Sequence, residues 1–389
     1  MRCRFATLNN NLSLHDFLSL GNNICEVEFM ERFFCKTRII AGAGSLASLS
    51  ELHIKRLLIV ADPFFCENGT ANHIAHISNA QRTEVFSKVT PDPSVSLVAE
   101  GTRLVQELEP DTILALGGGS AMDCAKAMAY FSGLSMRLVA VPTTSGSGSE
   151  VTDFAILTHD GVKHPLVDEK LRPDIAILDD SLLATLHKKL IAETGFDLIS
   201  HALEAWVATG AGQISDALAL QALQTALWEL PKSYAGQTAS RLPTHMAATM
   251  AGMAFSSAGL GLCHAISHAL GGEFHKPHGL LNAILLPSVV EVNAEVAMKR
   301  YGKLCRHLGL SSGGDAVALR ALKSTLCRLR RELCLPQTLA EAGIQASQVE
   351  AKTDVLVAAA LADPCCATNP VKPTEDHIRR LLAEVTGRG

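Results

Sequence analysis

In the first half of the chain, short apolar runs alternate with segments whose apolar positions repeat at helical spacing. Arg56–Ala61, Thr112–Leu116 and Arg137–Pro142 are brief, rich in branched aliphatic residues and closed by Asp, Gly or Pro-Thr, and Ile175–Leu178 is similar. Such runs predict buried strands. Because strands that alternate with helices build βαβ units, the pattern predicts an N-terminal α/β domain with a parallel sheet.

After about Ser181 the strand signals vanish, and Ala- and Leu-rich segments at helical spacing follow. Asp216–Leu230 and Asp315–Leu333 carry the apolar stripe of amphipathic helices. At 389 residues, the chain exceeds what one hydrophobic core usually supports. We therefore predict a Rossmann-like parallel-sheet domain followed by an all-α domain, in three segments: an N-terminal extension (1–34), the α/β domain (35–184) and the helical domain (185–389).

Composition narrows the class of protein. Hydrophobic residues make up 48% of the chain and charged residues 19%, which is typical of a globular fold. The net charge of −5, without any basic block, argues against a nucleic-acid partner. The longest apolar stretch, Leu280–Val292, is interrupted by Asn282, Pro287 and Glu291. We therefore expect it to form a buried helix and not a membrane span.

The cysteines and the N-terminus indicate a cytoplasmic protein. Eleven cysteines are scattered along the chain, only Cys365 and Cys366 are adjacent, and no CxxC pair is present. This is the pattern of reduced thiols, and it favours neither a disulfide framework nor a thiolate metal site. The N-terminus lacks the basic start and long apolar core of a secretory signal.

Two polar, glycine-rich loops follow predicted strands. In Gly117–Asp123 (GGGSAMD), glycines let the backbone approach a phosphate, and the start of the next helix favours an anion. The second loop is Pro142–Glu150 (PTTSGSGSE), and the two loops together define a crevice for a dinucleotide. Each loop alone also fits a plain turn. Asp62 ends the first strand, where a carboxylate can bind the adenosine ribose and repel a 2′-phosphate. This favours NAD over NADP, with a plain strand-ending Asp as the alternative.

The helical half carries residues at the spacing of metal ligands. Asp197 and His201 are four positions apart, so a helix places both on one face. Any single histidine is more often an ordinary core or surface residue, but four of the 15 histidines follow in one short stretch: His264, His268, His275 and His278. Three imidazoles with one carboxylate suit Fe(II) or Zn(II), and the spacing does not choose between them.

Together, GGGSAMD, PTTSGSGSE, the GFDxxxHALEAW stretch and HxxxHxLGxxxxxPHGxxNAILLP resemble the iron-containing alcohol dehydrogenase family, from about Arg38 to the end of the chain. Within it, Ala251–Asn293 and TTSGSGSEVT most resemble the members that serve propanediol and ethanolamine utilisation. The resemblance implies a two-domain architecture like that of dehydroquinate synthase, with NAD(H) and Fe(II) as cofactors and Zn(II) as the alternative metal.

The resemblance also implies roles for single positions. It implies these metal ligands: Asp197, His201, His264 and His278. His268 would face the nicotinamide. The implied cofactor contacts are Asp62 as the NAD-selecting residue, Asp92 (where some members have Asn) and Lys163 near the cofactor, Gly118, Gly119 and Ser120 at the pyrophosphate, and Thr143, Thr144 and Ser147 around the nicotinamide and ribose. Phe255 and Cys365 match positions in the substrate cleft, and we place Phe154 with them.

The implied reaction is the reversible reduction of a short-chain aldehyde by NADH. The metal would act as a Lewis acid on the carbonyl oxygen, and the nicotinamide would deliver hydride. We expect His268, or a water chain leading from it, to supply the proton. Because the predicted cleft wall is apolar, it favours propanal or acetaldehyde over substrates with a second hydroxyl.

The N-terminal extension suggests partners. Within residues 1–34, Leu14, Phe17 and Leu18 have near-helical spacing, as in the leaders of microcompartment-associated enzymes. Our hypothesis is encapsulation in a bacterial microcompartment, with the shell or an acylating aldehyde dehydrogenase as partner; an unstructured or wrongly assigned start is the alternative. The predicted strand around Thr37–Ile40 is expected to cross to a second subunit in a homodimer.

Two rival functions stay open on the sequence alone. A lyase of the dehydroquinate-synthase kind would share NAD and the metal half, but it needs basic residues for an acidic substrate. His275 and Lys276 are the nearby candidates. The other rival is a catalytically silent NAD-binding scaffold for an aldehyde dehydrogenase, and the intact set of predicted ligands argues against it.

Overall fold

The computed structural model describes residues 33–159 and 162–387. The predicted N-terminal leader, with Leu14, Phe17 and Leu18, lies outside these residues. The described residues form these strands: β1 (Arg38–Ala41), β2 (Arg56–Ala61), β3 (Arg82–Phe86), β4 (Thr112–Gly117), β5 (Arg137–Pro142), β6 (Phe154–His159), β7 (Val162–Val167) and β8 (Ile175–Leu178).

Six of these strands form one parallel sheet in the order β1-β8-β5-β4-β2-β3. Successive residues of the central strand β4 point to opposite faces: Ile113 packs into the apolar core on one side and Leu114 into the core on the other. A strand buried on both faces explains the continuous apolar runs in the sequence. The predicted α/β class with a parallel sheet is confirmed.

Three strands were not predicted, and none of them lies inside the parallel sheet. β3 (RTEVF) is one of the two edge strands of the sheet, and only Phe86 at its end is buried. β6 and β7 form a separate antiparallel hairpin whose second strand contains Lys163 and Pro165. Proline is tolerated where a strand has an unpaired side. Edge strands need fewer apolar residues, so the apolar pattern does not reveal β3. The short apolar run of β6 (FAILTH) was present in the sequence and was missed.

The α-helices of the α/β half are short and connect the strands: α1 (Pro63–Glu67), α2 (Thr70–Ile77), α3 (Val95–Leu108) and α4 (Gly119–Ser132). In the described residues after β8 there are helices and no strands: α5 (Lys188–Val207), α6 (Gln213–Tyr234), α7 (Arg241–Ala258), α8 (Leu262–Phe274), α9 (His278–His307), α10 (Asp315–Glu332), α11 (Ala346–Ala362) and α12 (Glu375–Val385). The 3₁₀ turns are Ser45–Leu52, Ser149–Val151, Glu169–Leu171, Asp180–Leu183, Thr238–Ser240 and Pro364–Thr368. The predicted all-α second half is confirmed.

Helix α9 contains the predicted buried segment Leu280–Val292. By length and composition alone it could cross a membrane, but 78% of its most apolar window is buried inside the structure. The helical segment Thr238–Ala258 and α8 pass the same test as a pair, yet they are bent by 105° at the break. Burial by neighbouring helices accounts for the apolar composition of α9, as in the core of a globular domain.

The loop after β5 packs directly on two helices of the second half. A Cβ on Gly146 would lie 2.8 Å from the Cβ of Thr194 in α5, and one on Gly148 would lie 2.6 Å from the Cα of Gly252 in α7. Gly148 also has a φ of 62°, in the left-handed region. The glycines therefore let the α/β half approach the helical half closely. The proposed domain boundaries at 34/35 and 184/185 stay predictions.

Candidate metal and cofactor site

Three helices bring the four predicted metal ligands together. Asp197 and His201 lie one turn apart on α5, and both are almost fully buried. His264 lies in the first turn of α8, and His278 is the first residue of α9. The chain reverses between those helices through His275, which ends α8 in the left-handed conformation with a φ of 52°.

One oxygen of the Asp197 carboxylate lies close to the Nε2 atoms of all three imidazoles. From the Asp197 Oδ1 atom, the Nε2 atoms of His201 and His264 are each 3.8 Å away, and that of His278 is 3.5 Å away. Tetrahedral ligands placed about 2.1 Å from a metal stand about 3.4 Å apart. The ligand atoms of Asp197, His201 and His264 lie within 4.8 Å of one another, and His278 approaches this group through Asp197. Contraction of the site would therefore be needed for one ion to bind all four residues. One carboxylate with three imidazoles is a donor set for iron or zinc.

In each of the three imidazoles, Nε2 faces Asp197 and Nδ1 has a hydrogen-bond partner elsewhere. This second contact fixes the direction of the ring. His201 Nδ1 donates to the carbonyl of Gly146 at 3.2 Å, and because a carbonyl can only accept, Nε2 is left as the acceptor. His264 Nδ1 lies 2.6 Å from a carboxylate oxygen of Glu204. His278 Nδ1 lies 2.8 Å from the Oγ of Ser267. Such outer partners orient metal-binding histidines.

Glu204 was not predicted, and it joins two parts of the site. Besides His264, it accepts the backbone N–H groups of Gly261 and Cys263 at the start of α8. Burial raises the pKa of Glu204 to about 7, even though these N–H groups lower it. Its position three residues after His201 on the same helix was the one available signal, because that spacing places it on the same side of α5.

Asn282 was also not predicted as part of the site. Its Nδ2 donates to Asp197 Oδ1 at 2.9 Å and lies 3.1 Å from His278 Nε2 and 3.4 Å from His264 Nε2. The side chain is fully buried on α9, one turn after His278. An amide in this position holds the carboxylate in the orientation in which its Oδ1 faces the imidazoles.

Burial sets the charges of the cluster. Burial raises the pKa of the Asp197 carboxyl above its ordinary value. His201 and the Asn282 amide oppose this rise but do not cancel it. Burial also holds the pKa of His264 well below its ordinary value, so this imidazole stays neutral. Neutral imidazoles with free Nε2 lone pairs are the form that binds a metal. A divalent cation would compensate the buried carboxylate.

His268 lies beside this cluster and has a carboxylate partner of its own. Its ring stacks on that of His278 with 5.0 Å between centroids, and its Nδ1 lies 2.8 Å from Asp363 Oδ2. Cys365 lies on the 3₁₀ turn that follows Asp363 between α11 and α12, and its backbone N–H donates to Asp363 Oδ1 at 2.8 Å. The predicted proton donor and one predicted cleft residue therefore meet through Asp363, which was not predicted.

The other two predicted cleft residues form an apolar wall next to the predicted metal ligands. The ring of Phe255 stacks on His201 at 4.4 Å between centroids, and Phe154 lies 5.9 Å from Phe255. Phe255 belongs to α7 and Phe154 to β6, so this wall lies where the two halves meet.

The predicted cofactor residues of the two glycine-rich loops lie against one another. A Cβ on Gly118 would lie 3.3 Å from the Oγ1 of Thr144, and one on Gly119 would lie 3.4 Å from the Cβ of Ser147. Thr143 donates its backbone N–H to the carbonyl of Gly117 at 2.9 Å. Both loops follow the carboxyl ends of adjacent strands, and Gly119 begins α4, so free N–H groups face the crevice between them.

The remaining cofactor residues lie on both sides of this crevice. On one side, a Cβ on Gly117 would be 3.4 Å from that of Asp62. Asp62 also caps α1, because its Oδ1 accepts the N–H of Phe64 at 2.9 Å. On the other side, Asp92 donates its N–H to the Oγ of Ser120 at 3.3 Å and forms a 2.6 Å ion pair with Lys163. Asp92 has a φ of 54°, a conformation that Asn and Asp tolerate best.

Comparison with known proteins identifies the family. The profile described as "Iron-containing alcohol dehydrogenase" matches residues 36–180, and the one for the C-terminal part of the Fe-containing alcohol dehydrogenase family matches residues 191–386. The chain belongs to the iron-containing alcohol dehydrogenase family. The predicted resemblance is thereby confirmed.

Several members of the iron-containing alcohol dehydrogenase family are similar over nearly the whole chain. The 1-propanol dehydrogenase PduQ of Salmonella typhimurium is 41% identical, over 92% of this chain and 100% of that protein. The NADPH-dependent butanol dehydrogenase of Clostridium saccharobutylicum is 35% identical, over 91% of this chain and 97% of that protein. The bifunctional aldehyde-alcohol dehydrogenase AdhE of Escherichia coli is 39% identical, over 85% of this chain, but the match spans 43% of AdhE.

Solved structures of this family have the same fold. The iron-containing alcohol dehydrogenase of Thermococcus thioreducens superimposes with a TM-score of 0.86 at 34% identity, covering 92% of this chain and 100% of that one. A 1,3-propanediol oxidoreductase gives a TM-score of 0.86 at 27% identity with the same coverage. Membership of an alcohol dehydrogenase family makes this chain an enzyme and leaves the rival lyase and the silent scaffold without support. The roles of the single site residues stay predictions.

Proposed function

We propose that this alcohol dehydrogenase reduces a short-chain aldehyde to its primary alcohol, reversibly, with NADH as the hydride donor. We propose that Asp197, His201, His264 and His278 hold its divalent iron, with zinc as the alternative. The observation that carries this proposal is the convergence of one carboxylate oxygen and three Nε2 atoms within 3.8 Å of that oxygen. Bound there, iron would supply Lewis acidity toward the aldehyde oxygen, next to a nicotinamide that supplies hydride.

We propose that a side chain of the protein, His268, supplies the proton in aldehyde reduction and accepts it in alcohol oxidation. His268 stands beside the ligand His278, and its Nδ1 is held by Asp363. A carboxylate at Nδ1 stabilises the protonated ring, so that the Nε2–H group can be donated as the alcohol forms. In the oxidation direction the same imidazole would receive the proton, directly or through a water chain.

The proposed cofactor position follows from the contacts of the two glycine-rich loops. The pyrophosphate would lie at Gly118, Gly119 and Ser120, where free N–H groups begin α4. Thr143, Thr144 and Ser147 would then surround the nicotinamide and ribose, in the loop whose Gly146 carbonyl holds His201. Lys163, paired with Asp92, would stand near the cofactor at the Ser120 side.

The proposed preference for NAD rests on Asp62. Its carboxylate lies next to Gly117 at the end of β2, where it would bind the ribose hydroxyls and repel a 2′-phosphate. Because a similar enzyme is described as NADPH-dependent, this preference needs its own test. We expect kcat/KM to be higher with NADH than with NADPH, and Asp62→Gly to narrow the difference. An unchanged ratio in the variant would contradict the role of Asp62.

The proposed substrate class rests on Phe154, Phe255 and Cys365. Two aromatic rings and a thiol offer no strong hydrogen-bond partner for a second hydroxyl, so propanal or acetaldehyde should be preferred over lactaldehyde. The similarity to a 1-propanol dehydrogenase supports the C3 aldehyde. A higher kcat/KM for lactaldehyde than for propanal would overturn this assignment.

We further propose a cytoplasmic homodimer that works with an acylating aldehyde dehydrogenase, inside a microcompartment or its equivalent. β1 pairs with β8 of its own chain, and its other side is the edge of the sheet, where a second subunit could join. The similarity to a bifunctional aldehyde-alcohol dehydrogenase supports a partner that makes the aldehyde. Deleting residues 1–34 should abolish co-sedimentation with shells; unchanged co-sedimentation would contradict encapsulation.

The function as a whole is tested by anaerobic purification, metal analysis and NADH oxidation with C2 to C4 aldehydes. We expect about one iron per chain and activity that a chelator removes and Fe(II) restores. His201→Ala should lose both metal and activity, whereas the matched variant His275→Ala, which changes a histidine outside the ligand set, should keep the metal. Full activity in His201→Ala without bound metal would refute the proposal.

A further inference from the structure

A second group of metal-binding side chains lies next to the proposed iron site. His268, Asp363 and Cys365 each offer one ligand atom, and these three atoms lie within 4.8 Å of one another. Asp363 is central: its Oδ2 is 2.8 Å from His268 Nδ1, and its Oδ1 accepts the N–H of Cys365 at 2.8 Å. Asp363 also precedes the 3₁₀ turn that contains Cys365, so carboxylate and thiol are held on one short turn.

We propose that His268, Asp363 and Cys365 form an inhibitory site for a zinc-like divalent cation, separate from the four-residue site. Imidazole, carboxylate and thiolate are the ligands that zinc prefers in proteins. Hard cations such as Mg²⁺ and Ca²⁺ bind oxygen ligands and would not use the thiol. The site is named the thiol site below.

Little movement is needed for a cation to enter the thiol site. Tetrahedral N and O ligands of zinc stand about 3.4 Å apart, whereas His268 Nδ1 and Asp363 Oδ2 are 2.8 Å apart. The side chains of His268 and Asp363 are 25% and 14% exposed, so the pair is reachable from solvent and can separate by about half an ångström. Water would complete the fourth position.

The charges balance when zinc binds. His268 binds through Nδ1 as the neutral ring with its proton on Nε2, and the thiol proton of Cys365 leaves to solvent. The Asp363 carboxylate is already anionic, because the hydrogen bond from His268 lowers its pKa. One carboxylate and one thiolate then neutralise the two positive charges of the cation. Burial first, and the Asp363 carboxylate second, raise the pKa of the Cys365 thiol well above its ordinary value, so the thiol keeps its proton until a cation displaces it.

Occupation of the thiol site would stop catalysis for two reasons. The cation takes the Nδ1 lone pair of His268 and removes Asp363 as its partner, so the imidazole no longer stores a proton. It also joins α8 to the turn that carries Cys365, across the predicted substrate cleft. This inhibitory effect rests on the proposed function, but cation binding by the three residues does not.

Cobalt(II) tests binding without reference to activity. The four-residue site contains no sulfur, so thiolate-to-cobalt absorption in the near ultraviolet reports the thiol site alone. The metal-free protein is titrated with Co²⁺ anaerobically, and we expect two ions per chain and a thiolate band. Asp197→Ala should keep the band, and Cys366→Ala, the adjacent cysteine, is the matched control that should also keep it. Cys365→Ala and Asp363→Asn should lose it.

Two outcomes of the cobalt titration would overturn the proposal. One is a wild-type protein that binds cobalt without a thiolate band. The other is a band that persists in Cys365→Ala, since another cysteine would then be the ligand. A thiolate band in a protein that shows no aldehyde reduction would leave the thiol site standing and refute the proposed function instead.

Zinc inhibition of the iron-loaded enzyme tests the consequence. Each variant is compared with its own rate before zinc is added, and iron is measured before and after. We expect the half-inhibiting zinc concentration to rise at least about tenfold in Cys365→Ala, since one of three protein ligands is lost, and to stay unchanged in Cys366→Ala. If zinc inhibited both variants equally and the inhibition paralleled loss of iron, zinc would be acting by displacing iron. That result would contradict the thiol site.

Discussion

The direction of each imidazole in the proposed metal site is set by a residue outside the predicted ligand set. Gly146, Glu204 and Ser267 each hold one Nδ1 atom, and Asn282 holds the Asp197 carboxylate. Each of these partners lies on a different element from the group that it holds. Metal affinity should therefore respond to residues that lie outside the ligand set.

Glu204→Gln tests whether a residue outside the ligand set affects metal affinity, at the 2.6 Å contact between Glu204 and His264. The amide keeps the shape but cannot accept as strongly from His264 and the α8 N–H groups, so iron affinity should fall about 10- to 100-fold. Competition with a chelator of known affinity measures the change. Glu229→Gln on α6 is the control, because Glu229 pairs with Lys232 and Ser240 away from the site. Equal affinities in both variants would show that Glu204 does not act through His264.

Asp363→Asn tests the proton path by its pH dependence. Burial alone would raise the pKa of Asp363, but the hydrogen bond and charge of His268 bring it below its ordinary value. The carboxylate therefore stays anionic and stabilises the protonated ring. The asparagine variant lacks that negative charge, so the alkaline limb of the kcat/KM profile for aldehyde reduction should move to lower pH.

Asp354→Asn on α11 is the matched control for Asp363→Asn, because Asp354 is exposed and pairs with Arg379. Its pH profile should coincide with that of the wild type. A lower kcat in Asp363→Asn with an unmoved alkaline limb would mean that Asp363 acts only on the local structure.

At the scale of elements, the sequence predicted the strands that are buried on both faces. β2, β4, β5 and β8 were predicted within one residue of their ends, because a central parallel strand must be apolar on both sides. The edge strand β3 and the hairpin of β6 and β7 were missed. The helix pattern found α6, α9 and α10, whose apolar faces repeat at helical spacing, although the ends of α6 and α9 extend beyond the predicted segments.

Gly148→Ala tests the contact between the β5 loop and α7. The added Cβ would lie 2.6 Å from Gly252 Cα, and a φ of 62° is strained for alanine, so we expect a loss of about 2 kcal/mol or more in the free energy of unfolding. Cofactor affinity should fall as well, because the loop would move. Denaturant unfolding and NADH titration measure both effects.

The control is Gly272→Ala on α8, where an added Cβ meets nothing within 4 Å. It should be neutral or stabilising by up to about 1 kcal/mol, since alanine favours a helix. Equal changes in the free energy of unfolding for Gly148→Ala and Gly272→Ala would contradict the prediction. Glycine at position 148 would then not be required by the close approach of the loop to α7.

At the scale of the whole molecule, the sequence predicted which side chains come together at the site. It did not predict the residues that hold those side chains in place. Asp197 and His201 could be paired from helical spacing, and Asn282 follows His278 by one turn, so helical spacing could have placed it too. Asp363 could not be found in this way. It meets His268 across 95 positions, and only the packing of α11, the following turn and α8 brings them together.

The proposed metal site joins three helices that are separated in sequence, so metal binding there should stabilise the molecule as a whole. Asp197 and His201 come from α5, His264 from α8 and His278 from α9, and an unfolded chain cannot present the four ligands together. A ligand at about 100 times its Kd adds roughly 2.7 kcal/mol to the folded state. For a chain of this length, that should raise Tm by about 4 °C.

Differential scanning calorimetry of the metal-free protein, with and without Fe(II) under anaerobic conditions, measures this rise. Asp197→Ala should abolish it, because the carboxylate is the one anionic ligand of the four. Asp354→Ala, which removes an exposed carboxylate from α11, should show the full rise. If iron raised Tm equally in both variants, its stabilising contact would lie elsewhere, and the convergence of α5, α8 and α9 would need another explanation. A rise confined to proteins with Asp197 would tie the packing of these helices to the bound ion.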